Sequence, residues 1–320
     1  MLHLWIKKIW FFCIVYCGVR LLPHTPSSPF RPRIVKMLKV PQHQVAGHMA
    51  KNGVLGPLVD DSGKFYKPLQ NNDRGSTELS FYTSLAVPPS ISSFFPAFHG
   101  TAVVPASDGS GPHTHLILQD VVAPYTNPSV MDVKIGSRTW HLAHSEDYIA
   151  KCMKKDRDSS TVPLGFRLTG VKDSASSWEP SRTFLQSLSA EGVSLILRKF
   201  VSSAADSDRS DCDFAAEVLG AVLERLVELK AWFEVQTLYH FYSCSVLVVY
   251  EKEKGKTKPL VKLVDFAHVV SGNGVIDHNF LGGLCSFINF IRDILQPLPH
   301  WLLLSFFLCF PSNLVPGFIR

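Results

Sequence analysis

Pro128-Ser129-Val130-Met131-Asp132-Val133-Lys134-Ile135-Gly136 is the stretch on which the reading of this chain turns. Side chains alternate across a strand, so Met131, Val133 and Ile135 share one face while Asp132 and Lys134 share the other. The apolar face seats the strand on a core, and the acid and the base are then presented together to whatever lies opposite. Taken alone, the pair reads equally well as an exposed i, i+2 ion pair.

Two further elements bear on that choice. Residues 260–264 are almost wholly apolar and deliver Asp265 at their end, followed by Phe266-Ala267-His268. A carboxylate at the end of a buried strand suits a magnesium ion facing nucleotide phosphates, because hard cations take oxygen ligands. Its other reading is a cap on the following turn. Lys67, in Phe65-Tyr66-Lys67-Pro68, sits on a predicted strand with Glu78 on the next helix. That combination resembles the lysine–glutamate pair of protein kinases.

Around these elements the order is strand, strand, helix, then strands at 101–105, 115–120 and 130–135. Residues 44–48 read as a further short strand, and Asp60-Asp61-Ser62-Gly63 is hairpin turn chemistry. Helices are predicted over 76–87, 144–155, 213–236 and 280–295, and strands over 245–250 and 260–266. The polar stretch from the end of the 144–155 helix to Ser181 shows little periodicity. A strand-rich part followed by helix, hairpin and helix predicts an α+β arrangement in two lobes.

These residues carry a resemblance. Pro128-x-x-x-Asp132-x-Lys134-x-Gly136 resembles the signature of the inositol polyphosphate kinase family, and Asp265-Phe266-Ala267-His268 its metal-binding motif. Gln44-Val45-Ala46-Gly47-His48, Phe65-Tyr66-Lys67-Pro68-Leu69 and Asn279-Phe280-Leu281-Gly282-Gly283-Leu284 resemble the plant-type inositol polyphosphate multikinases. The likeness runs over residues 37–295 as one catalytic domain and leaves out 1–36 and 296–320.

The resemblance implies a two-lobed fold like that of protein kinases or ATP-grasp enzymes, with ATP between the lobes and inositol phosphate on a small helical insert. By position, Lys67 would contact ATP phosphates, and Gln119, Asp120 and Val121 would be the hinge that reads adenine. Asp132 would meet the ribose or the reacting hydroxyl, Lys134 the transferred phosphate, and Asp265 the Mg2+. His268 would reach the substrate, as would Lys151 and Lys154, whose spacing with Lys155 puts all three on one helix side. Without the resemblance such a cluster is ordinarily a solvated face. Arg167 and Lys172 are weaker candidates. The implied activity is phosphorylation of inositol 1,4,5-trisphosphate and the resulting tetrakisphosphate at the 6- and 3-hydroxyls, giving inositol pentakisphosphate. The alternative is a non-catalytic, nuclear inositol phosphate-binding scaffold.

Composition agrees with an anion-binding globular protein. The 320 residues are 46% hydrophobic, which excludes disorder, and 32 Lys plus Arg against 27 Asp plus Glu give +5. That excess is too small for a histone-like nucleic-acid binder, and a monomer is expected. The seven cysteines form no Cys-x-x-Cys pair, so no zinc ribbon is signalled. His113-x-His115 and His141-x-x-His144 lack a third ligand at metal spacing in the sequence. Gly255-Lys256-Thr257 ends like a P-loop, but it joins two strands. The apolar runs at 9–19 and 301–310 are too short to span a bilayer, and both ends look foreign to the middle, as an altered reading frame would make them. The first run has the length of a targeting segment, and the expected location is the nucleus, the cytoplasm or both, with membrane association of the ends left open.

Overall fold

The computed structural model describes residues 37–47, 50, 53–202, 209–252 and 258–296. The two apolar end runs, His48 and the tip Gly255-Lys256-Thr257 lie outside them. No described helix is long and apolar enough to cross a membrane.

The first lobe contains β1 (Leu58–Val59), β2 (Lys64–Pro68), α1 (Asp73–Ser84), α2 (Pro89–Ser92), β3 (Phe98–Pro105) and β4 (Pro112–Gln119). Its strands form an antiparallel sheet in the order β1-β2-β4-β3. The predicted turn between β1 and β2 forms because Asp60 Oδ1 gathers the Ser62 amide at 2.9 Å and the Lys64 amide at 3.1 Å. Helix α1 begins three residues before the predicted start, since the Asn72 side chain, rather than a later serine, accepts from the Arg74 amide and caps it. Residues 44–47 do not form a strand.

The second lobe runs through β5 (Pro128–Ile135), α3 (Glu146–Arg157), α4 (Thr161–Leu164), β6 (Phe166–Asp173), α5 (Arg182–Gln186), α6 (Ala190–Val201) and α7 (Arg209–Phe233). It continues with β7 (Tyr239–Phe241), β8 (Ser245–Glu251), β9 (Leu260–Val264), β10 (Val269–Ser271) and α8 (His278–Leu295). An antiparallel sheet of order β6-β5-β8-β9 puts the 128–136 stretch at its centre, and β7 pairs with β10 separately. Strand β6 is a correction to the sequence reading, which left 156–181 without structure. Its polar residues are buried with the apolar ones, so no alternation marks it: Arg167 serves Asp156 and Thr169 serves Asp132. Helix α7 presents Val218, Val222, Leu226, Leu229 and Phe233 to the core as predicted, and ends before Gln236.

Rings join the helices to the sheets. Phe81 of α1 stacks on Phe266 at 4.3 Å, and Phe233 of α7 on Phe280 of α8 at 4.4 Å. Phe280 is fully buried, and truncating it to Ala would cost roughly 3–5 kcal/mol. Asp277 caps α8 by accepting from the Phe280 amide at 2.9 Å, and its other oxygen accepts from Phe241 at 2.6 Å. The cap holds Asn279 under the 128–136 stretch. Gly136 has φ +104°, and a Cβ there would lie 2.6 Å from Asn279 Nδ2, so only glycine closes that turn.

Candidate active site

The two lobes line a cleft of about 970 Å³. Strand β5 sends Val130, Asp132 and Lys134 into it, while Met131, Val133 and Ile135 belong to the core. The alternation read from the sequence therefore holds, but the exposed ion-pair reading does not. Asp132 is only 5% exposed and accepts a hydrogen bond from the Thr169 hydroxyl; Lys134 is half-buried and donates to the Ser243 carbonyl. Burial first, and then the negative charge of Asp265, push the Asp132 carboxyl above the ordinary aspartate range.

Lys67 and Asp265 come from opposite lobes. Lys67 Nζ lies 2.7 Å from Glu78 Oε1 and 2.8 Å from Asp265 Oδ1. The predicted lysine–glutamate pair is thus formed, and Glu78, 3% exposed, also accepts from the Phe266 amide at 3.2 Å. Burial alone would lower the Lys67 ammonium, but Asp265 and Glu78 outweigh it and hold the lysine above its usual range. Burial would likewise raise Asp265; Lys67 and Lys134 outweigh it and bring that carboxyl down to about 2. Asp265 adopts φ +69°, a left-handed conformation uncommon outside glycine, asparagine and aspartate. It is the turn after β9 that aims the carboxylate into the cleft. Asp265 and Asp132 face the same space, close enough for one charge to disfavour the other. Such a pair of hard oxygen donors fits a divalent cation.

Gln119, Asp120 and Val121 line the cleft where β4 leaves the first lobe. The Asp120 side chain accepts from the Val122 amide at 3.0 Å and its own amide donates to the Gly63 carbonyl at 2.9 Å. Among the described residues the Val121 amide has no acceptor, which leaves a backbone donor for a planar base. Tyr82, Leu118, Val130, Leu247 and Val264 supply apolar lining to the same cleft.

Helix α3 forms part of the wall. Its Asp156 is 2% exposed and accepts from the Thr139 amide at 2.9 Å and from Arg167 Nη1 at 3.1 Å, which anchors the helix to β6. Arg167 is therefore a structural residue, 1% exposed, and Lys172 donates to the Gln42 carbonyl at 2.8 Å. Lys151 and Lys155 line the cleft together with Arg74 and Arg182. Lys154 lines an adjoining shallow recess with Lys151, Lys155 and Gln186. Burial, then Arg167, Arg182 and Lys134, bring the Lys155 ammonium down to about 8.

His268 also lines the cleft, and it supplies what the sequence seemed to lack: a third histidine beside His141 and His144, with ring nitrogens within 4.8 Å of one another. His113 and His115 instead bond the Leu69 and His113 carbonyls at 2.9 and 2.8 Å. Sequence reasoning missed Arg74, Tyr148 and Arg182 as cleft residues. None stands in a motif; Arg74 follows a cap, and Arg182 opens a short helix beyond the unpatterned stretch.

A two-lobed α+β fold, a lysine bridged to two carboxylates and a basic helical wall define a kinase-like phosphate-handling protein. Residues 115–292 match the sequence model of the family described as inositol polyphosphate kinase, and the chain belongs to that family. It is 56% identical to inositol polyphosphate multikinase beta of Arabidopsis thaliana, over 81% of this chain and 94% of that one. To the multikinase IPK2 of Oryza sativa subsp. japonica it is 49% identical, over 80% and 94%. A solved inositol phosphate multikinase superposes with a TM-score of 0.59 at 51% identity, covering 68% of this chain and 99% of that one. The Saccharomyces cerevisiae multikinase Ipk2, solved in complex with ADP and Mn2+, shares the fold at 18% identity with a TM-score of 0.60, over 73% and 99%.

Proposed function

We propose that this chain is an ATP- and Mg2+-dependent inositol polyphosphate multikinase, phosphorylating inositol 1,4,5-trisphosphate and then the tetrakisphosphate at the 6- and 3-hydroxyls to give inositol pentakisphosphate. The observation that supports it most is the convergence in one cleft of Lys67, Asp265, Asp132 and Lys134 with a wall of further cations. The plant multikinases similar to this chain, and the yeast relative solved with ADP and Mn2+, support the substrate class and the cofactors.

In this reading the hinge holds adenine and Lys67 holds the ATP phosphates. Asp265 would hold the metal, which would supply neutralisation of charge on the phosphates. The inositol hydroxyl oxygen attacks the γ-phosphorus, the bond to the β,γ-bridging oxygen breaks, and ADP leaves. Asp132, facing the reacting hydroxyl, would take its proton. Lys134 neutralises the transferred phosphoryl group. A loose transition state asks for positioning and charge more than covalent help, which suits a site built of fixed cations.

The test is incubation of the full chain with labelled ATP, Mg2+ and inositol 1,4,5-trisphosphate, followed by separation of the product isomers. The expected product is pentakisphosphate formed through a tetrakisphosphate. Binding of inositol phosphate with no transfer of label would overturn the reading in favour of a scaffold.

A further inference from the structure

His268 stands at the cleft end of three imidazoles whose proton positions follow from backbone contacts. The Ala143 amide donates to His141 Nδ1 at 3.2 Å, and the His141 amide donates to His144 Nδ1 at 3.2 Å. A backbone amide can only donate, so both Nδ1 atoms carry lone pairs, and in neutral rings both Nε2 atoms carry the proton. His144 Nε2 lies 3.0 Å from His268 Nδ1. The bond between them then has one sense: His144 donates, His268 Nδ1 accepts, and the His268 proton sits on Nε2. That nitrogen is 3.3 Å from the Tyr148 hydroxyl, and both residues line the cleft.

The surroundings agree with neutral rings. Burial, followed by His144, Lys134, Arg74 and His141, holds His268 down to about 3. Burial, followed by His144 and Arg138, holds His141 down to about 4, and burial lowers His144 as well. Tyr148 faces His268 with its hydroxyl raised to about 12 by burial and then by Cys152, so it too is neutral. The same proton positions speak against a metal ion among the three rings. An ion would need lone pairs where the His141 and His144 protons sit, and Lys134, Arg74 and Arg138, the charged side chains that act most on His268 and His141, are cations.

We propose that His144 is a positioning residue which, by donating from Nε2 to His268 Nδ1, keeps His268 in the neutral tautomer that offers an N–H to the substrate. The inference rests on the inositol phosphate reading of the cleft. A phosphate oxygen or hydroxyl oxygen approaching His268 then meets a donor. In the other tautomer it would meet a lone pair, and attraction would become repulsion. Residue 144 needs no contact with substrate for this.

The experiment uses the full chain with 15N-labelled histidine. Ring-nitrogen chemical shifts of His268, read without substrate, should show a protonated Nε2 and a bare Nδ1. His144→Leu should mix the tautomers and raise KM for inositol 1,4,5-trisphosphate by about fivefold, as loss of one hydrogen bond implies, with KM for ATP unchanged. His144→Gln, whose amide N–H can reach His268, should restore both the shifts and KM. If the leucine variant does not fold, His144→Asn, too short to reach, takes its place. A protonated Nδ1 on His268 in the wild type, or unaltered shifts and KM in the leucine variant, would overturn the proposal. Should the chain bind inositol phosphate without transferring phosphate, the kinase reading fails separately, and Kd replaces KM in the same comparison.

Discussion

The two walls of the cleft handle charge in opposite ways. On the nucleotide side Lys67 is held at 2.7 and 2.8 Å by two carboxylates, and one of those is itself anchored to a backbone amide. On the helical side Arg74, Lys151, Lys155 and Arg182 form no ion pair among the described residues. Paired charges in a partly buried site are pre-positioned and little affected by salt. Unpaired cations crowded together are held apart from their preferred state until a polyanion arrives. Burial first, and then the neighbouring charges of Arg167, Arg182 and Lys134, lower Lys155 to about 8. One wall is built for geometry, the other for affinity.

The largest effect that would break the comparison lies in the paired wall. Asp265→Asn should keep the fold, because asparagine tolerates φ +69°, yet it removes a charge from both Lys67 and the metal. Turnover should fall by on the order of a hundredfold or more. A folded variant of near-normal rate, checked by circular dichroism and steady-state kinetics, would remove Asp265 from the metal site.

Next in size, Lys134→Ala should lower turnover by roughly tenfold to a hundredfold. Its stability should change by under about 1 kcal/mol, since a half-buried lysine with one carbonyl partner contributes little packing. Thermal unfolding beside kinetics separates the two. A loss of stability as large as the loss of rate would make Lys134 a structural residue.

The unpaired wall predicts a different signature. Converting Lys151 and Lys155 to Glu should raise KM for inositol phosphate by about tenfold or more at low salt, and by much less at high salt, with KM for ATP nearly unchanged. Lys154→Glu, in the adjoining recess, should act more weakly. Equal effects from all three positions would mean that the helix acts only through its overall field.

The smallest effect is a pH limb. Lys155 has a folded pKa lowered to about 8 from an unfolded value near 10.4, so at neutral pH its charged form is disfavoured by folding. That penalty is fully present below about pH 8 and is relieved as pH rises from there to the unfolded value. Substrate binding runs the other way, because deprotonation above about pH 8 removes an attractive charge. KM for inositol phosphate should therefore rise by a few-fold between about pH 7 and 9, and Lys155→Arg, charged throughout, should flatten the rise. An unaltered profile in that variant would place the titrating group elsewhere.

Legibility followed the same division. Asp132 and Lys134 could be read because they share one face of a strand whose apolar residues have period two, Asp265 because it ends an almost wholly apolar run, and Lys67 because it sits on a short strand just ahead of a helix that carries Glu78. The β1–β2 turn could be read from its Asp60-Asp61-Ser62-Gly63 chemistry, and the hinge only through the family resemblance. Strand β6 could not, because Arg167 and Thr169 are polar residues buried to serve Asp156 and Asp132, and burial on both faces erases the alternation. Of the helical lysines, spacing placed 151, 154 and 155 on one side, but it could not tell which of the last two turns toward the cleft.

What the sequence by itself determined is local: which strands carry charge on one face, where the chain turns, which helix is amphipathic, and, through its motifs, the family. Tertiary structure alone decided what meets across distance. Lys67 and Asp265 lie 198 residues apart and touch. His144 and His268 lie 124 apart, and their ring nitrogens approach to 3.0 Å. Arg74 and Arg182 enter the cleft from opposite lobes. Side-chain periodicity reports only the face a residue occupies on its own element; partners brought together by the packing of two sheets leave no trace in spacing, because the distance along the chain between them is unrelated to the distance in space.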